Sequence, residues 1–380
     1  MKKGHYLVVL LLFSLFLHAQ KEYEGKVIDA STGEPIPYVN IGIVEKGIGT
    51  ITDEQGLFYL GFKNNEVQPT DIVLFSSLGY ASLNIPLIDM QRVSNEYPVF
   101  KMKPATVALN EVVVSTKKGT FITDFVGYKK NNVSQSYGYW KDQKALGGEM
   151  ATKIVVKRGL RRLSKFKFEI AHNPSDSLLL RVNAYKNDGN LGKPKTNLNT
   201  SGKNILLTVR NGESIIWVDL EPYDIYVKDD FSISLELLKV YGKEELDLIL
   251  AAAYEQYGSY RKYASQGKWE SVSKRNMAYY LETELLVPES VAKRFEKKES
   301  RKKKKLKTIS GFTISKGRMV YGVEVFNNRT KESVFSDEKG RYIIVANKKD
   351  QIFFRKEGFK SLALTVGEKP TVNIIMKKIN

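Results

Sequence analysis

The sequence of 380 residues predicts a mainly β protein in which two small β-sandwiches flank a central jelly-roll-like β-sandwich. Three observations carry this. The phrase TDEQGLFYL at Thr52 recurs as SDEKGRYII at Ser336. Short runs that alternate apolar and polar residues are punctuated by Gly, Pro, Asn and Asp throughout. Tyr and Phe, which pack well on a pleated surface, number 21 and 18.

The chain opens with Lys2 and Lys3, an apolar run from Tyr6 to Leu17, and then His18-Ala19-Gln20. A charged start, a dozen apolar residues and a small residue before a cut describe a cleaved export signal over residues 1–19. The run falls short of the about 20 residues a spanning helix needs. Export implies a periplasmic, outer-membrane-associated or secreted protein. The sequence has no cysteine, which excludes disulfides, thiolate metal sites and a lipid-modified N-terminal cysteine. Losing Lys2 and Lys3 lowers the net charge from +18 to +16.

The repeat defines the two outer sandwiches, residues 20–105 and 309–380. Gly25, Val39, Asp53, Gly56 and Gly79 align with Gly311, Val323, Asp337, Gly340 and Gly358. The second copy is shorter by two residues before the Asp and by five after the second aligned Gly, as loop trimming would give. In each Asp-Glu-x-Gly turn the Asp carboxylate accepts backbone N–H groups, and the Gly supplies positive φ. Asp53, Gly56, Asp337 and Gly340 are therefore structural turn residues, and Phe58 and Tyr342 should point inward.

GKVIDASTGEPIPYVN at Gly25–Asn40, TDEQG at Thr52–Gly56 and LGY at Leu78–Tyr80 resemble the carboxypeptidase regulatory-like domain, a transthyretin-like seven-stranded β-sandwich. The second copy resembles it more weakly, lacking the TGEPIP turn. The resemblance implies an accessory module of envelope proteins of the Bacteroidetes type. LNEVVVS at Leu109–Ser115 is similar to the segment that follows this domain in TonB-dependent transporters. That similarity makes Glu111, Val112, Val113 and Val114 a candidate TonB-contacting strand by β-addition, against an ordinary interdomain strand within a 106–120 linker.

Residues 121–288 form the central sandwich. Phe166, Phe168 and Ile170 alternate, as do Leu178, Leu180 and Val182. Asn187-Asp188-Gly189-Asn190 and Asn211-Gly212 mark turns. Residues 244–263 carry both helical propensity and strand features; the need for pairing partners on that side favours strands. Residues 289–308 are a basic linker. Between Lys293 and Lys307, ten basic and two acidic residues give +8, a solvated linker or exposed helix. Lys302, Lys303, Lys304 and Lys305 would attract an anionic surface. Without interleaved aromatics they do not suggest nucleic acid.

Catalytic options are few. Beyond residue 19 the only histidine is His172, which rules out a multi-histidine zinc site or a well-placed relay. No phosphate loop or dinucleotide fingerprint appears. Acids such as Glu149, Glu169, Asp219, Glu221 and Glu270 could serve a glycosidase pair, but the sequence places no two of them across a cleft. Asp188–Asn190 and Asp229-Asp230 offer oxygen atoms for Ca²⁺ but no complete loop. Tyr137, Tyr139, Trp140 and Trp269 are candidate rings for stacking on glycans, which need flat apolar area with a polar edge. The expectation is an exported, non-catalytic binding or scaffolding protein of the cell envelope without cofactor, whose partner is an envelope glycan or outer-membrane protein. The alternatives are a carbohydrate-binding module protein and an accessory of TonB-dependent outer-membrane transport.

Overall fold

The computed structural model describes residues 20–63, 66–96, 98–105, 119–130, 135–140, 146–242, 246–253, 258–272, 275–305 and 307–379. The chain divides into two compact units, Met1–Pro288 and Glu289–Asn380.

The first unit begins with a seven-stranded sandwich. Its strands are β1 (Gln20–Asp29), β2 (Asn40–Ile43), β3 (Ile48–Ile51), β4 (Leu57–Lys63), β5 (Ile72–Ser76), β6 (Leu83–Pro86) and β7 (Val99–Met102). One sheet has the order β4-β1-β7 and the other β3-β2-β5-β6. Val27, Val39, Ile41, Val73 and Phe75 are fully buried between them. The rings of Phe58, Phe75 and Phe100 meet at 4.9–5.6 Å. A helix, α1 (Leu87–Glu96), follows β6 and buries Leu87 and Met90, three residues apart on one face.

The central sandwich follows in the same unit. It comprises β8 (Thr120–Gly127), β9 (Gln135–Trp140), β10 (Glu149–Ile154), β11 (Arg161–His172), β12 (Ser177–Lys186), β13 (Ile205–Arg210) and β14 (Ile215–Asp219). It continues with β15 (Tyr226–Val227), β16 (Phe231–Tyr241), β17 (Leu248–Ala253), β18 (Ser259–Lys262), β19 (Glu270–Val272), β20 (Asn276–Met277) and β21 (Tyr280–Val287). One sheet runs β13-β12-β16-β10-β18-β19; the other runs β20-β17-β11-β21-β8, with β14 and β15 on β11 and β9 on β17. Alternation places Phe166, Phe168, Leu178, Leu180, Ile233 and Leu235 in one core. Residues 244–263 contribute β17 and β18, so the described part of the ambiguous segment is stranded.

The second unit starts with α2 (Glu289–Lys305), so of the two readings of the basic stretch, solvated linker or exposed helix, the chain takes the helix, over 17 residues. Glu289 pairs with Lys293 one turn on, in the favourable acid-first order. Its sandwich uses β22 (Thr308–Ser315), β23 (Arg318–Met319), β24 (Glu324–Asn327), β25 (Ser333–Phe335), β26 (Arg341–Val345), β27 (Gln351–Arg355), β28 (Leu362–Thr365) and β29 (Ile374–Ile375). The pairing repeats the first sandwich. As β1 pairs β4 antiparallel and β7 parallel, β22 pairs β26 antiparallel and β29 parallel. The order β25-β24-β27-β28 repeats β3-β2-β5-β6. Gly25 and Gly311 are required where the parallel strand passes: an added Cβ would lie 2.8 Å from the Pro98 carbonyl oxygen or 1.9 Å from that of Val372.

Candidate functional site

The duplicated turns are the simplest local chemistry. Asp53 Oδ1 accepts from the backbone N–H groups of Gln55 and Leu57, each at 2.9 Å. Asp337 Oδ1 accepts from those of Lys339 and Arg341 at 3.0 and 2.8 Å. Gly56 and Gly340 take φ of +73° and +69°. The preceding hydroxyls also match: Thr52 Oγ1 donates to the Ile36 carbonyl and accepts from Val39 N–H, and Ser336 Oγ does the same between Val320 and Val323. The bonds these Asp, Thr and Ser side chains make each lie within their own sandwich.

The concentrated polar chemistry lies elsewhere, on the face of β12-β16-β10-β18 turned away from the central core. Strand register sets one residue from each strand in a row: Arg181 opposite Glu236, Glu236 opposite Glu149, Glu149 opposite Lys262. Two like charges directly opposite each other repel. Here the cations at either end offset that repulsion. Arg181 grips Glu236 through two parallel bonds of 2.8 and 2.9 Å. Lys262 Nζ lies 2.6 Å from Glu149 Oε2. Asn183 Nδ2 donates to both acids, at 3.0 Å to Glu149 and 2.8 Å to Glu236, and Ser234 Oγ donates to Glu149.

The row is sealed by the first sandwich. Arg181 Nη1 donates to the Tyr38 carbonyl and Nη2 to Asn40 Oδ1, both at 3.0 Å. Ser265 Oγ also donates to Asn40 Oδ1, at 2.9 Å. Beside these bonds, Ile51 packs on Leu179 and Leu238, and Glu54 binds Lys239 Nζ at 3.0 Å. Glu149, Glu236 and Arg181 retain 0, 1 and 4% of their exposure. Burial pushes the Glu236 carboxyl up, but the Arg181 charge and hydrogen bonds, aided by Lys262 and Asn183, outweigh it and hold the acid below its ordinary range. Burial, then the two acids, push the Tyr185 hydroxyl well above 10. The pair that glycosidase chemistry would demand thus exists, with Glu236 as the partner that sequence reading missed. It is neutralised and has no open approach for a sugar and a water.

The other candidates are dispersed. Trp140 corrects the expectation of a stacking ring: β9 pairs with β17, which turns it fully inward into the core, where Nε1–H donates to the Gly148 carbonyl at 3.3 Å. Tyr137 pairs with Leu250 on the same ladder and Tyr139 lies on β9; their side chains are outside the described residues. Trp269 is half-buried, edge-on to Tyr185 at 6.0 Å and under Lys262 Nζ at 4.6 Å. Glu111, Val112, Val113 and Val114 lie outside the described residues, and Lys302 to Lys305 close α2. His172 ends β11, exposed.

Asp188 and Asp229-Asp230 do meet, around a cavity of about 540 Å³ at one end of the central sandwich. The carboxylates of Asp188 and Asp230 are taken up by protein groups. Asp188 accepts from Thr196 N–H and Oγ1, which hold its pKa below the usual range, and Asp230 accepts from Val156 N–H at 2.9 Å. Among the described residues no group of three or more His, Cys, Asp or Glu could hold a metal ion.

Against known proteins, residues 23–114 match the family described as CarboxypepD_reg-like domain. This segment is a CarboxypepD_reg-like domain. It supplies Tyr38, Asn40 and Glu54, the groups that close over the acid row. The chain is 28% identical over 167 residues to the TonB-dependent receptor SusC of Bacteroides thetaiotaomicron, a match covering 41% of this chain but only 15% of the receptor. Among solved structures, the cysteine protease and lectin-like domains of Cwp84, a surface layer associated protein of Clostridium difficile, align at 12% identity over 66% of this chain and 58% of that one, with a TM-score of 0.30. The major pilin subunit BcpA of Bacillus cereus aligns at 12% identity over 95% of this chain and all of that one, with a TM-score of 0.16.

Proposed function

We propose that this is an exported, non-catalytic binding or scaffolding protein of the bacterial cell envelope. The observation that carries the reading is the sealed row: the buried acid pair among the described residues is spent on fixing the CarboxypepD_reg-like domain to the central sandwich. Two sandwiches locked in one unit present strands and loops in fixed positions, which suits recognition more than turnover. The similarity to a TonB-dependent receptor supports an envelope setting and favours a second reading, an accessory role in outer-membrane transport. Fractionation of cells expressing the tagged full chain tests the first reading. Envelope recovery, with no reducing ends released from polysaccharide by the purified protein, is expected; cytoplasmic recovery or sugar release would overturn it. Co-purification of a transport protein that is lost on deleting Leu109–Ser115 would select the second reading.

A further inference from the structure

The outward face of the other central sheet carries rings that the acid row does not use. On β14, Trp217 is 50% exposed and sits opposite Lys167 of β11, which in turn sits opposite Tyr280 of β21. On β8, Phe125 is 51% exposed, opposite Glu282, and stacks on Tyr280 with centroids 5.6 Å apart and planes within 6°. Trp217 and Tyr280 are therefore two strand spacings apart, roughly 10 Å. Between them the face is charged but internally paired. Lys167 Nζ lies 2.8 Å from Glu169, Lys165 Nζ 3.9 Å from Glu282, and Arg162 2.8 Å from Asp224. Lys129 Nζ is over the Tyr280 ring at 4.3 Å.

We propose that this face of β14-β11-β21-β8 binds a neutral, extended polysaccharide laid across the strands, with sugar rings on Trp217 and on the Tyr280–Phe125 pair. The inference rests on the binding-protein reading above and names its ligand class. Flat exposed rings present apolar area to the axial C–H face of a sugar. Their separation fits alternate rings of a stretched glycan, and the open, wall-less sheet suits a polymer better than a small sugar. Paired side-chain heads between the rings offer both donors and acceptors to hydroxyls. A polyanion would find little surplus positive charge there, because Lys165, Lys167 and Arg162 already face carboxylates and Lys129 is held over the Tyr280 ring. Beside Trp217 a cleft of about 450 Å³, lined by Thr208, Glu213 and Asp219, extends the polar contact beyond the sheet edge.

Affinity electrophoresis of the full chain through gels containing hydroxyethylcellulose, galactomannan or arabinoxylan tests this, with dextran sulfate as the anionic comparison. The expected result is retardation by at least one neutral polymer that persists in raised salt. Trp217→Ala and Phe125→Ala should each weaken it roughly tenfold, as loss of a stacking ring does, while Trp217→Phe keeps most of it. Both truncated side chains are half-exposed, and matched melting curves verify the fold. Passage through all three neutral gels, retardation indifferent to both alanine variants, or retention by dextran sulfate alone would overturn the proposal. None of these outcomes touches the fractionation and sugar-release readouts of the broader reading.

Discussion

Replacing Arg181 by Met removes the cation at the centre of the domain contact while keeping most of its volume. Five hydrogen bonds go with it: two to Glu236, and one each to Tyr38, Asn40 and Asn204. The larger effect is what stays behind. Glu236, 1% exposed, is left in register with Glu149 and without its main counter-charge. Breaking a buried pair from one side costs about 3–5 kcal/mol, a large share of the roughly 5–15 kcal/mol that holds a domain folded. Removing both charges as Arg181→Met with Glu236→Leu should restore most of that loss, since a buried pair contributes little relative to apolar residues of similar size. Urea unfolding of the full chain, followed by Trp fluorescence, would give both values and their coupling. A single variant within about 1 kcal/mol of the parent, or a double variant no better than the single, would refute the reasoning.

Gly49→Ala introduces a Cβ 2.3 Å from the Ser265 carbonyl oxygen of the central sandwich, at a position without positive φ; limited proteolysis should show the two sandwiches loosened, with about 1–3 kcal/mol lost. Trp140→Ala empties a fully buried site and should destabilise the central sandwich by about 3–5 kcal/mol in the same unfolding assay. Arg329, with Asn327 and the Asn347 N–H, holds the Asp350 carboxyl down to about 2. The folded value lies below the unfolded one of about 3.9, so the contribution is complete above pH about 4 and fades as pH falls through the folded value. Asp350→Asn should flatten the acid limb of the second sandwich's unfolding in that window, as read by circular dichroism.

The outer sandwiches were legible because their information is local. An Asp accepting two N–H groups and a Gly at positive φ need only five consecutive residues, and the same phrase returned the same turn at Asp53 and Asp337. Helix α1 was legible in principle from Leu87 and Met90, three positions apart. The acid row was not. LLLRVNAYK and FSISLELL show Arg181, Asn183 and Glu236 alternating with core leucines, and alternation alone assigns such residues to solvent. Their burial depends on register across four strands and on Asn40, some 140 positions earlier in the chain. Trp140 misled for the same reason: its neighbours in sequence are polar, but its ladder partner on β17 turns it inward. Trp217 stands in the run SIIWVD, and its relation to Tyr280 and Phe125 appears only when β11 and β21 stand side by side.

Carbodiimide labelling of the native full chain, read by peptide mass spectrometry, probes the sealed row most directly. Glu149 and Glu236 should stay unmodified while Glu270 and Glu213, on exposed strand ends and turns, react readily. Native-state modification of Glu149 or Glu236 at rates comparable to Glu270 would mean an open acid pair, and would contradict the assignment of that face to domain fixation.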